Sequence, residues 1–284
     1  MKIALYQMNI IWEEKEKNLK KVEAVLEMIS GKNVDLLLLP EMSLTGFSMN
    51  TKVTGESCYE TVKKIKDLVT KYGILVGVGW TKQLDENKCE NHYSIIGPDE
   101  VDILEEDING NMEMDELDIP MLFDYAKLHP FSYSGEDKYF KGGDYQDFLF
   151  YKGFNISGAI CYDLRFPEIF QIMSKKAELI IVPANWPDKR INHWSKLLMA
   201  RAIENQCYIA GINCVGEIGG VYYSGGSALL DPNGEVMLPD ELIDYDNDES
   251  VMIYDLENDT DKIRNSFPVK KDRREELYIK LVNS

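Results

Sequence analysis

Two short runs constrain the fold of this chain more than any other feature. Leu36-Leu37-Leu38-Leu39-Pro40 and Leu179-Ile180-Ile181-Val182-Pro183 are apolar at every position, each follows an acid (Asp35, Glu178), and each stops at a proline. A strand with one wet face alternates apolar and polar residues. A short run without alternation predicts a strand covered on both faces, as in a parallel sheet packed by other layers. The elements around the two runs come in the same order. Before and after the first lie a strand over Ile3 to Gln7, a helix with Leu19, Val22, Val25, Leu26 and Ile29 at spacings of three and four, a helix with Val62, Ile65, Leu68 and Val69, and a strand over Gly73 to Trp80. A hairpin follows, Ser94-Ile95-Ile96 turning through Gly97-Pro98 into Val101 to Leu104.

The second half repeats this order with a strand over Phe154 to Ile160, a helix over Pro167 to Lys175, the run to Pro183, a helix over Trp194 to Asn205 and a strand over Cys207 to Cys214. Its hairpin runs from Ala228-Leu229-Leu230 through Asp231-Pro232-Asn233-Gly234 into Val236-Met237-Leu238. Equal order at nearly equal spacing predicts two structurally equivalent halves. Helices of one half can cover only one face of its sheet, so the other faces are buried sheet against sheet. The expectation is an α/β fold, a four-layer α-β-β-α sandwich, with residues 1–284 forming one domain.

Composition narrows the function. Across 284 residues, 31 Lys and Arg stand against 49 Asp and Glu, a formal net charge of −18. Affinity for a phosphate backbone comes from clustered cations, so nucleic-acid binding is excluded on electrostatics, and an anionic membrane surface is disfavoured on the same ground. The longest apolar runs fall far short of the roughly 20 residues that cross a bilayer as a helix, and the opening Met1 to Asn9 alternates rather than forming a signal-peptide block. Five scattered cysteines, an odd number in a chain that needs no staples, fit a reducing cytoplasm. Two acidic stretches, Asp99 to Asp118 and Asp240 to Glu249, read as solvated loops and lack the spacing of a calcium loop. The tail over 261–284 reads as an extended segment into a short helix that packs at a subunit interface.

In covered α/β sheets, functional groups collect beyond the carboxyl ends of strands. Glu41 comes straight after the first apolar run, and Cys161 straight after the strand ending at Ile160. A strand-end Glu is commonly a surface first-turn carboxylate, and a single Cys is commonly a buried, inert thiol. Pro167 changes the second judgement, because it opens a helix and so puts Cys161 in a strand-to-helix turn whose free N–H groups and positive helix end favour a thiolate. Lys127 stands among Phe123, Tyr125, Leu128 and Phe131, a partly desolvated setting in which an ammonium acts as a fixed electrophile rather than a solvated surface charge. His92, His129 and His193 are not spaced as metal ligands, and none stands in a strand-end context that a Cys–His protease would need.

Taken together, Leu38-Leu39-Pro40-Glu41-Met42, Lys127-Leu128-His129-Pro130-Phe131 and Gly158-Ala159-Ile160-Cys161-Tyr162-Asp163-Leu164-Arg165-Phe166-Pro167-Glu168 resemble the three signature segments of the nitrilase superfamily of carbon-nitrogen hydrolases. The resemblance extends through Ala184-Asn185-Trp186-Pro187, His193-Trp194, Ala200 to Gln206 and Asp231 to Glu235, and so covers nearly the whole chain. Cys-Tyr-Asp-Leu-Arg-Phe-Pro followed by Ala-Asn-Trp-Pro is most similar to the omega-amidase branch. The resemblance implies an α-β-β-α fold, a homodimer and no metal, nucleotide or flavin cofactor. It implies Cys161 as nucleophile, Glu41 as proton carrier, Lys127 and the Tyr162 N–H as oxyanion partners, and Glu136 as a second glutamate orienting Lys127 and Glu41. Arg165 is then a carboxylate clamp, or a structural ion pair with Asp163, Glu168 or a second subunit, and Trp186 is a pocket wall or a core aromatic. The implied substrate is a small dicarboxylic monoamide such as 2-oxoglutaramate or 2-oxosuccinamate. The alternatives are an N-carbamoyl amino acid hydrolase, a nitrilase, and a silent binding protein on the same scaffold.

Overall fold

The two apolar runs become strands that feed a different core on each face. The computed structural model describes residues 1–98, 121–244 and 248–282. In chain order the first half contains β1 (Lys2–Gln7), α1 (Lys15–Ile29), β2 (Leu36–Leu38), α2 (Thr51–Thr54), β3 (Gly55–Glu56), α3 (Glu60–Tyr72), β4 (Leu75–Gln83), β5 (Cys89–Ile96) and β6 (Met121–Ala126). The second contains β7 (Leu149–Tyr151), β8 (Phe154–Gly158), α4 (Pro167–Met173), β9 (Leu179–Ala184), α5 (Ile191–Asn205), β10 (Tyr208–Asn213), β11 (Val215–Ile218), β12 (Val221–Ser224) and β13 (Ala228–Leu230). The chain returns through β14 (Glu241–Asp244) and β15 (Ser250–Asp255), then α6 (Thr260–Ser266) and α7 (Glu275–Val282).

One sheet runs β14-β15-β1-β2-β4-β5-β6, with β3 paired to β4, and the other runs β13-β10-β9-β8-β7. Within them β1, β2 and β4 are mutually parallel, as are β8, β9 and β10, which is the twofold echo read from the sequence. Leu37 and Leu39 pack with Val22, Leu26, Ile65 and Val69 from α1 and α3, whereas Leu36 and Leu38 pack with Ile156, Leu179 and Ile181 of the opposite sheet. Ile180 and Val182 face Phe170, Trp194 and Leu198 from α4 and α5. The layers are therefore α-β-β-α. Truncating Leu38, wholly buried between the sheets, to alanine would cost roughly 2–5 kcal/mol.

Two expectations change. The stretch Asp240 to Glu249 is not simply a solvated loop: Glu241–Asp244 is an edge strand, and Glu249 is buried, accepting from Tyr6 Oη at 2.9 Å and Asn9 N at 2.7 Å and paired with Lys21 at 2.9 Å. Burial of a charge is tolerated there because every contact neutralises or solvates it. The tail begins as helix α6 rather than as an extended segment, and it docks on its own chain. Arg264 donates to Ala177 O at 2.8 Å and Lys270 to Ser174 O at 2.5 Å, so these cations satisfy carbonyls at the C-cap of α4 and in the turn that follows it. The partner of β5 on its outer side is β6, and the expected hairpin arm Val101 to Leu104, with the acidic stretch Asp99 to Asp118, lies outside the described residues. Finally, β15 comes from the end of the second half yet pairs antiparallel with β1, which ties the two halves together.

Candidate active site

Glu41, Lys127 and Cys161 each sit just past the carboxyl end of a strand, β2, β6 and β8 respectively, and the packing of sheet on sheet brings those three ends together. At Glu41 the chain turns sharply, with Met42 in the left-handed region at φ 44°. The turn lies directly against β4, where Gly79 is required: a Cβ there would stand 2.3 Å from Met42 N and 2.9 Å from Glu41 C. Ser43 Oγ locks the approach, donating to Pro40 O at 2.5 Å and accepting from Gly79 N at 2.9 Å.

Lys127 is almost completely buried, and its ammonium lies 3.0 Å from Glu41 Oε1 and 3.0 and 2.9 Å from the two oxygens of Glu136. Burial opposes the charge, but Glu136 and Glu41 outweigh it and hold Lys127 protonated. Glu136 is itself buried on a 3-10 turn over Glu136–Lys138, where it accepts from the Phe131 N–H. Its burial, together with the charge of Glu41, raises its pKa against the pull of Lys127. Asn91 on β5 donates to Glu41 Oε1 at 2.8 Å and to Glu136 Oε1 at 3.3 Å, joining the two carboxylates. On the other side the Asn185 N–H donates to Glu41 Oε2 at 2.9 Å and its amide to Glu41 O at 2.6 Å.

Cys161 opens a 3-10 helix over Cys161–Arg165 with φ 47°, an elbow that lifts its side chain out of the sheet. Tyr162 is the second residue of that helix, where N–H groups have no partner within the helix. The elbow is held by Asp163, which is fully buried and accepts from Ile160 N at 3.0 Å, Tyr125 Oη at 2.9 Å and His129 N at 2.9 Å. One carboxylate thus fastens the Cys161 turn to the strand end that carries Lys127. The expected thiolate is not what this environment favours. Desolvation and the adjacent Glu41 carboxylate push the Cys161 thiol well above the usual range, and the opposing pull of Lys127 is weaker, so the resting group is a thiol beside a base.

Lys127, Cys161 and Asn185 floor a pocket of about 220 Å³, small enough for a metabolite and below the usual drug-sized range. Its walls include Phe47, Phe131, Tyr162, Arg165, Trp186, Arg190 and, from the β11–β12 hairpin and its flank, Val221 and Tyr223. Trp186 serves in both of the ways considered for it: its ring lines the pocket and packs at 5.5 Å against Trp194 in the core. Arg165 lies with its guanidinium 4.8 Å from the centre of the Trp186 ring and Nη2 at 3.4 Å from His193 Nδ1, and among the described residues no carboxylate pairs with it. Asp163, one of its considered partners, is committed to the elbow.

Asn91, Asn185, Asp163 and Arg190 are site residues that sequence reasoning did not single out. Asn185 and Asp163 stood inside quoted motifs, next to Trp186 and Cys161. Asn91 had no signal, being one polar residue in a mixed strand whose meaning depends on which face turns toward Glu41.

Comparison with known proteins agrees with this fold. The carbon-nitrogen hydrolase family model matches residues 2–265. The chain is 29% identical over 280 residues to a 2-oxoglutaramate amidase of Bacillus subtilis, covering 97% of this chain and 98% of that one. It is 31% identical over 237 residues to the omega-amidase YafV of Yersinia enterocolitica, covering 83% of each. A CN-hydrolase superfamily protein of Xanthomonas campestris, solved with an arsenic adduct in its active site, superposes with a TM-score of 0.79 at 26% identity, over 96% of this chain and 97% of that one. With the covered parallel strands, the paired halves and the Glu41, Lys127, Cys161 cluster already in place, the match along nearly the whole length means that this chain belongs to the carbon-nitrogen hydrolase family, in its omega-amidase branch.

Proposed function

We propose that the protein is a cysteine-dependent amidase that hydrolyses the terminal amide of a small carboxylate-bearing substrate such as 2-oxoglutaramate or 2-oxosuccinamate, releasing ammonia. The observation that carries this reading is the Lys127 ammonium fixed between Glu41 and Glu136 at the floor of the pocket that Cys161 enters. In the proposed reaction, Glu41 takes the Cys161 proton as the sulfur attacks the amide carbonyl carbon. The oxygen that becomes negative is held by Lys127 and the Tyr162 N–H, donors already in place before the charge develops. The C–N bond then breaks, Glu41 returns the proton to the nitrogen, and ammonia departs to leave a thioester. Glu41 next takes a proton from water, whose oxygen attacks the thioester and expels Cys161 as the thiol with the acid as product. Glu136 and Asn91 keep Lys127 and Glu41 aimed at this point.

The same-branch relatives named 2-oxoglutaramate amidase and omega-amidase support the substrate class, and so does Arg165. A guanidinium resting on an indole face, with no carboxylate partner among the described residues, suits the far carboxylate of a dicarboxylic monoamide. Ammonia release from 2-oxoglutaramate, glutamine, a carbamoyl amino acid and an aliphatic nitrile tests the reading, with hydroxylamine added to divert the thioester to a hydroxamate. Turnover of the first with hydroxamate formation is expected. Turnover of the carbamoyl compound or nitrile alone would overturn it. We also propose a cytoplasmic homodimer of single-domain subunits with the 261–284 tail at the interface, to be checked by sedimentation of the full chain against one truncated after residue 266.

A further inference from the structure

Among the described residues, the pocket contains a second cation without a carboxylate partner besides Arg165. Arg190 ends the 3-10 turn over Asp188–Arg190, immediately before α5, and its guanidinium lies 5.4 Å from the centre of the Phe131 ring on the pocket wall. Its main chain is fixed by the same residue that carries Arg165: the Trp186 indole N–H donates to Arg190 O at 2.8 Å, while the Trp186 ring lies under Arg165. Trp186 therefore touches both arginines, the Arg165 guanidinium through its face and the Arg190 main chain through its edge. Among the described residues neither arginine has a carboxylate partner, and no Asp or Glu lines the pocket. In a chain with 49 acidic and 31 basic side chains, two arginines that share one cavity and have no carboxylate partner among the described residues form a site suited to an anion. Their mutual repulsion is felt, since burial and then the charge of Arg190 lower the pKa of Arg165.

We infer that Arg190 is a substrate-specificity residue that acts with Arg165 to select amides whose far end is a 2-oxo acid and to reject those whose far end is a 2-amino acid. This inference rests on the amidase reading above. One fork satisfies the carboxylate in bidentate fashion, and the second donates to the remaining acceptors, the 2-oxo oxygen included. A 2-amino acid places an ammonium where that oxygen would be, facing two guanidiniums with no carboxylate among the described pocket-lining residues to receive it, so like charges meet.

The test is steady-state kinetics of wild type, Arg190→Gln and Arg190→Lys on 2-oxoglutaramate, glutamine and the neutral amide butanamide. It is paired with calorimetric binding of the products 2-oxoglutarate and glutamate to the Cys161→Ala background. Arg190→Gln is expected to lower kcat/KM for 2-oxoglutaramate by about ten-fold or more, to affect butanamide less, and so to shrink the preference over glutamine by about ten-fold or more. Arg190→Lys should restore part of that preference, and 2-oxoglutarate binding should weaken in parallel while glutamate binding does not. Equal losses on all three amides, accompanied by a lowered melting temperature, would make Arg190 structural and overturn the inference, as would an unchanged preference. If wild type hydrolysed butanamide but neither of the others, the substrate reading would fall with it. If wild type preferred 2-oxoglutaramate and Arg190→Gln kept that preference, only the role of Arg190 would be lost.

Discussion

Replacing Asp163 with alanine is the sharpest perturbation available, because this side chain joins two of the three strand ends that make the site. Its carboxylate is wholly buried and receives the Ile160 N–H, the Tyr125 hydroxyl and the His129 N–H at 3.0, 2.9 and 2.9 Å. Alanine would leave those three donors without an acceptor. A buried unsatisfied donor costs about 1–3 kcal/mol, which bounds the total at roughly 3–9 kcal/mol, and water entering beside the partly exposed His129 ring would satisfy some of it, so about 3–5 kcal/mol is expected. At about 2–4 °C per kcal/mol for a chain of this size, the melting temperature should fall by roughly 6 °C or more. Asp163→Asn keeps one acceptor oxygen but turns an NH₂ toward N–H donors, so it should lose stability as well, though less. Activity should suffer beyond stability: below the melting transition, kcat should fall with KM changed less, because the Cys161 elbow and the Lys127 strand end lose their common anchor. Urea and thermal unfolding alongside kinetics at 15 °C would measure both. A loss under about 1 kcal/mol for Asp163→Ala, or normal kcat in the folded variant, would refute the reasoning that this carboxylate holds the site together.

Cys161→Ala should abolish turnover, whereas alanine at Cys58, Cys89 or Cys207 should leave it largely intact; ammonia release decides it, and comparable activity without Cys161 would end the covalent mechanism. Lys127→Met is expected to lower kcat by about 10²-fold or more, the range for one lost oxyanion stabiliser, while a change confined to KM would make it a binding residue only. Arg165→Ala should weaken a carboxylate-bearing amide by about 1.5–3 kcal/mol in kcat/KM and spare an uncharged amide of similar length, and equal losses on both would remove the clamp. His92 provides a pH test away from the pocket. It is buried with Nδ1 at 2.9 Å from Asp124 and Nε2 at 3.2 Å from Glu90; burial opposes its charge, but these carboxylates win and raise its pKa. A raised folded pKa means that the stabilisation is complete below the unfolded value of about 6.5 and is lost as pH rises through the folded value. The melting-temperature gap between wild type and His92→Gln should therefore be wider at pH 5.5 than at pH 9, and a gap independent of pH would show that His92 stays neutral.

The amino-acid sequence by itself determined the layers and the strand ends. Leu36 to Leu39 and Leu179 to Val182 have no polar face, so they must be covered twice, and the shared order of elements around them requires two such sheets back to back. Glu41 and Cys161 were legible for the same reason: a proline or a helix start directly after a buried strand leaves a side chain at the crevice. What the sequence could not decide was which polar residue faces which neighbour across the gap between elements. Asn91 and Arg190 have ordinary local contexts and Asp163 stands in the Cys161 motif with no sign of its partners, and their roles arise because β5 lies beside the Glu41 turn, the Tyr125 strand end meets the Cys161 elbow, and the turn before α5 passes under Trp186. The charge state of Cys161 is a tertiary property too. A strand-to-helix turn favours a thiolate locally, but the thiol responds to the summed field of its surroundings, and desolvation at the pocket floor together with Glu41, more than 100 residues away in the chain, outweighs Lys127. Local chemistry is written in neighbouring residues, whereas electrostatics and hydrogen-bond pairing depend on distance in space, which only the packed sheets define.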